Sequence, residues 1–100
     1  MLDIKQTQKR IYENKINKGF DITDVYRQFC FLHGEITEAS EAYAKKEDNL
    51  GEELADVAIY LLGLAEILGI DLEKEILKKM DKNEKRQYIE KDGVKIRVGE

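Results

Sequence analysis

A chain of 100 residues with 17 basic and 21 acidic side chains, a formal net charge of −4 and no proline excludes several classes of protein. The mildly acidic balance disfavours non-specific nucleic-acid binding, no apolar run reaches the ~18 residues that a membrane span needs, and the opening MLDIKQTQKR lacks the apolar stretch of a secretion signal. One cysteine, Cys30, leaves no internal disulfide and fits a reducing cytoplasm.

The length is that of one domain, residues 1–100, with a small core that gains from association. The composition, rich in Ala, Leu, Glu, Lys and Ile, predicts an all-α fold. Neither a long repeat nor a low-complexity linker interrupts it. Helix one is expected over Ile4–Lys18, with Ile4, Ile11, Tyr12 and Ile16 as a thin apolar stripe and Gly19 as its C-terminal stop. Helix two starts near Asp21 or Thr23, either of which can cap free amides, and runs to about Lys46. Its apolar face is Val25, Phe29, Leu32, Ile36, Ala39 and Tyr43. Helix three follows Asn49, with Glu52 placed as in a capping box, and ends at Gly69. Helix four follows Asp71, carries Glu73 and Glu75 in its first turn, and continues to about Tyr88. The helical core thus covers about 4–88. The tail, 89–100, alternates loosely about Asp92-Gly93, a hairpin or extended segment that needs a packing partner.

Helix three is apolar on nearly every side. From Val57 to Gly69 its only charged residue is Glu66, and Leu54, Val57, Leu61, Leu64 and Leu68 mark the predicted core face. Such a helix must be covered on most sides, and the rest of a small chain supplies few partners. A homodimer or homotetramer is therefore expected.

Two acidic pairs stand inside these apolar patterns: Glu35 and Glu38 on helix two, Glu53 and Asp56 on helix three. At about 100° per residue, Glu35 and Glu38 lie on one side of Ile36, and Glu53 and Asp56 lie on the same side of Leu54. A short connection through Lys45–Asn49 makes the two helices antiparallel neighbours, so the two acidic edges face a shared cleft beside Phe31, Ala42, Tyr60 and Ile67. A single pair of acids three apart is commonplace on a wet face. Two pairs with equal placement on consecutive helices, beside apolar side chains, repel one another unless a hard cation joins them. Mg²⁺ suits carboxylates, waters and phosphates, and Mn²⁺ can substitute.

The segments EITE and EELAD resemble the E-x-x-E…E-x-x-D signature of MazG-like nucleoside triphosphate pyrophosphohydrolases, an all-α superfamily. FLHGEITEASEAY, LGEELADVAIYLLGLAEILGIDLEKEI and KKMDKNEKR are similar to successive segments of that family, over about Phe20 to Tyr88. Gly34 stands where many relatives carry a further acid, and neither the first helix nor the hairpin carries the likeness. The resemblance implies a four-helix MazG-like bundle, oligomeric, that hydrolyses a nucleoside triphosphate to monophosphate and pyrophosphate with Mg²⁺ held by Glu35, Glu38, Glu53 and Asp56. Glu38 is the carboxylate assigned to take the proton of the attacking water. Lys79, Asn83 and Arg86, at i, i+4 and i+7 on helix four, are the residues assigned to substrate phosphate, against a plain basic surface as the other reading. Phe31 and Tyr60 either stack on a base or pack, and His33 is left as a helix-edge residue. A nucleotide-binding module or helical adaptor without turnover is the alternative function. Nucleic acid and membrane are not expected as partners.

Overall fold

The computed structural model describes residues 1–99. They form α1 (Ile4–Asn17), α2 (Val25–Ala44), α3 (Leu50–Ile67), α4 (Leu72–Lys85), β1 (Gln87–Lys91) and β2 (Val94–Val98). The element order is the expected one, and the differences lie at the ends. Asp24, not Asp21 or Thr23, caps α2 by accepting from the Arg27 amide. Asp21 instead accepts from the amide and hydroxyl of Thr23, a local turn that competes with helix entry. At Asn49 no side-chain cap bond forms. Helix four stops at Lys85, because Arg86 is already extended at φ −70° and ψ 140° and the next residue enters the hairpin.

Two helix ends close as the sequence indicates. After α1 and after α3, Gly19 and Gly69 adopt φ of +75° and +69°, and the following amides, Phe20 and Ile70, reach back to Lys15 and Ala65 carbonyls, the Schellman closure. In the hairpin, Asp92 and Gly93 both have positive φ. That is the pairing a type I′ turn requires, and it sets the antiparallel register from Lys91↔Val94 to Gln87↔Val98.

Packing is centred on α3. Helix α2 lies along one side of it and α1 along another, while α4 makes a smaller contact with α1. No residue of α4 is buried. The buried apolar residues are Ala39, Ala42, Leu62, Leu64 and Ala65, a core made mostly of small side chains that let the helices approach closely. Of the expected α3 face only Leu64 is buried. Leu54, Leu61 and Leu68 remain exposed, because two neighbouring helices cannot cover an all-round apolar cylinder. The radius of gyration, 17.1 Å, exceeds the ~13 Å of a compact 100-residue domain.

Three polar residues sit in the interior instead. Gln8 is almost fully buried; it donates to Glu66 and the Ile70 carbonyl and accepts from the Leu72 amide, tying α1 to the α3–α4 turn. Lys15 and Gln28 are also buried, and bonded to each other.

Candidate metal centre

The acids are brought together by the antiparallel α2–α3 pair. Glu35, Glu38 and Glu53 each offer a carboxylate oxygen within 4.8 Å of the others. Glu38 is exposed, whereas Glu35 and Glu53 are half-buried, and one oxygen on each of the two, Oε2, is buried without a hydrogen-bond partner. Asp56, also half-buried, contributes no oxygen to that close group. Its charge nevertheless acts on Glu35, on Glu53 and on the Tyr60 hydroxyl.

The electrostatics follow from this geometry. Burial, then the charges of Glu38 and Asp56, a hydrogen bond shared with Glu38 and the charge of Glu53 push the Glu35 carboxyl above its ordinary value. Burial and the charges of Glu38, Asp56, Glu52 and Glu47 do the same to Glu53. Protein neighbours therefore oppose the ionised state of these groups, and orphaned buried oxygens are costly. A hard divalent ion fits this donor set: all ligands are oxygens, and the orphan Oε2 atoms gain a partner. With Mg–O distances of about 2.1 Å, oxygens opposite one another stand roughly 4.2 Å apart, so a spread of 4.8 Å needs little more than side-chain rotation to close.

A support residue was not apparent from the sequence. Asn49 Nδ2 donates to Glu53 Oε1 at 3.2 Å, which orients the carboxylate from one turn upstream. The signal was present as Asn followed four residues later by Glu, but it reads equally as a helix cap.

The cations assigned to phosphate are elsewhere. Lys79 and Asn83 are on α4 and Arg86 is just beyond it, and the charges acting on Glu35 and Glu53 are acids. The cations do form a cluster of their own. Arg86, then burial, Lys82 and Arg97 depress the Lys79 ammonium below its ordinary value, and Arg86 Nε is buried with no acceptor. Asn83 accepts the Arg86 amide through its main-chain carbonyl. Arg97, on β2, was not among the expected residues; its place beside Lys79 depends on how the hairpin folds back.

Phe31 and Tyr60 meet edge to face, with ring centroids 6.3 Å apart. Burial and the neighbouring Glu35, Asp56 and Glu38 charges push the Tyr60 hydroxyl up, so the ring stays neutral.

Among the described residues no helix is long and apolar enough to cross a membrane. No curated protein and no solved structure matches the chain. The model of the MazG-like family does match, over residues 30–100. Its span includes the converging carboxylates, their supporting asparagine, the cation cluster and the hairpin, and on that match the chain belongs to the MazG-like family.

Proposed function

We propose that this chain hydrolyses a nucleoside triphosphate between its α and β phosphates, giving a nucleoside monophosphate and pyrophosphate. The observation that carries the reading is the convergence of Glu35, Glu38 and Glu53 on two helices, with orphaned buried oxygens on two of them. Membership of the MazG-like family supports the same chemistry.

Glu35, Glu53 and Asp56 would hold Mg²⁺, with Mn²⁺ able to substitute, and Glu38 would share in its binding. A bound ion of this kind screens phosphate charge and acidifies a coordinated water. Glu38, the exposed member of the group, accepts the proton of the attacking water. Asn49 keeps Glu53 aimed at the centre of the group.

Phosphate binding falls to Lys79, Asn83 and Arg86, joined by Arg97. The buried, unpaired Nε of Arg86 supports this role, since a guanidinium binds phosphate through paired N–H groups. In one chain these cations do not face the acids. A second copy would have to supply them: Ile36, Tyr43 and Leu54 are 49%, 73% and 55% exposed and line an apolar groove, which supports a homo-oligomer.

Pyrophosphate release from a panel of triphosphates with Mg²⁺ tests the reading, in parallel with nucleotide binding. Release that disappears in Glu53→Gln supports it. Metal-dependent binding without release points to the non-catalytic module.

A further inference from the structure

Lys15 is buried in the last turn of α1, yet among the described residues no carboxylate pairs with it. Its Nζ donates to Gln28 Oε1 at 3.3 Å and stands 4.6 Å from the centre of the Tyr60 ring. Gln28 is itself fixed: its Nε2 donates to the Asp21 carbonyl, an acceptor only, so Oε1 must face Lys15. A buried ammonium held by one amide oxygen and a π-face is expensive, which argues for a use.

The fold makes deliberate room for it. Gly63 lies on α3 where the lysine stem crosses. A Cβ there would come within 2.9 Å of Lys15 Cε and 3.1 Å of Ile11 Cγ2. Glycine in a helix interior costs roughly 1 kcal/mol against alanine, and here it opens the path along which the ammonium reaches Tyr60.

Beyond the ammonium is a cavity of about 310 Å³. Phe20, Asp21, Arg27, Gln28, Phe31 and Tyr60 line it with Lys15, and Arg27 lies over the Phe31 ring at 5.5 Å. The cavity continues the acidic cleft. Along α2, Glu38, Glu35, Phe31 and Gln28 succeed one another by helical turns; along α3, Glu53, Asp56 and Tyr60 do the same. Glu35 to Gln28 is seven positions, about 10 Å of helix rise, a nucleoside's reach beyond a phosphate held at the acids. Lys15, Arg27 and Gln28 all precede the residues that the family model matches.

Lys15, the buried cation of the cavity, is a donor, and the lining carboxylate, Asp21, is exposed. Gln28 Oε1 is engaged by Lys15, and the Asp21 carboxylate holds Thr23 through its Oδ1. Ammonium and guanidinium groups donate only. Uracil, thymine, guanine and hypoxanthine present an exocyclic keto oxygen, an acceptor, where cytosine and adenine present an amino group, a donor. An amino group at that position would set N–H against N–H and leave the ammonium's remaining protons unmatched.

Resting on the proposed function, we propose that this cavity seats the substrate's base, and that Lys15, positioned by Gln28 and Gly63, selects bases with a keto oxygen at pyrimidine C4 or purine C6 over those with an amino group there. The aromatic pair supplies the apolar contact and Lys15 the discrimination.

The test is an NMR titration of the full chain with Mg²⁺, using matched monophosphates: UMP against CMP, and IMP against AMP. Each keto member should bind about tenfold more tightly, the factor one charge-assisted hydrogen bond supports. The preference should fall to near unity in Lys15→Met, and also in Gly63→Ala, which displaces the ammonium without removing it. Equal affinities within each pair, no binding at millimolar concentration, or a preference that survives both variants would overturn the proposal. The readout needs no turnover. A chain that releases pyrophosphate yet shows no base preference refutes the base pocket alone; one that shows the preference yet releases no pyrophosphate refutes the hydrolase reading alone.

Discussion

The two sides of the α2–α3 pair invert the usual rule of burial. One side holds Glu35 and Glu53, half-buried, each with one carboxylate oxygen, Oε2, that is buried and without a hydrogen-bond partner. The other leaves Ile36, Tyr43 and Leu54 open to solvent. Exposed apolar atoms are ordinary on protein surfaces, but buried unmatched polar atoms and contiguous apolar grooves are not. On the proposed reading a cation answers the first side and a second copy of the chain the other. That reading ties stability to what the chain binds.

The sharpest way to break this contrast is to remove a charge from the acidic side. Glu53→Gln should lower pyrophosphate release by about a thousandfold or more with little change in the circular dichroism spectrum; undiminished turnover would refute the metal role. Next comes the apolar side. Leu54→Lys places a charge in the groove, and should convert the oligomer to monomer in sedimentation experiments and reduce activity at least about tenfold at dilute protein. A wild-type chain that already sediments as a monomer would contradict the assembly.

A milder change keeps the acids and removes their support. Asn49→Ala should raise the Mg²⁺ concentration for half-maximal activity about tenfold, in line with loss of an outer-sphere hydrogen bond. The smallest effect is on the pH dependence of stability. Glu35 and Glu53 are raised above an ordinary value of 4.5 in the folded chain, so the folded state holds protons that the unfolded state has lost. Their contribution is fully favourable below about 4.5 and declines as pH rises through the raised values. Melting temperatures in EDTA should fall over that window, less so in Glu35→Gln, and Mg²⁺ should restore them at neutral pH. A native profile no steeper than that of Glu35→Gln would show that the crowding has no energetic weight.

Much of this was written in the local sequence. Helix periodicity, the glycines at 19 and 69 and the Asp92-Gly93 turn each act over a few residues, and each appears where the pattern puts it. The acidic convergence was also legible, since it needs only two helical phases and a short connection. The reference points for those phases fared differently. Ile36 and Leu54, the references on the expected apolar faces, are both exposed in one chain. Equal offsets preserve a convergence even when the direction of the core is misread. The cap of α2 was missed because Asp21, Thr23 and Asp24 are chemically equivalent candidates, and tertiary packing chooses among them. Lys15 and Gln8 lie on the apolar stripe of α1 at helical spacing from Ile4 and Ile11. Their burial was visible as polar interruptions of that stripe, but the partners, Gln28 and the Ile70 carbonyl, come from distant segments. Arg97 needed the hairpin register to bring it beside Lys79, a relation no local pattern encodes.

The notch at Gly63 makes the identity of position 15 and that of position 63 a single choice. A shorter residue at 15 leaves an empty groove across α3 that a larger residue at 63 can refill, whereas enlarging 63 alone evicts the lysine. Paired exchange at these two sites offers a route to re-engineer ligand preference through an inter-helix crossing while the carboxylates remain as they are.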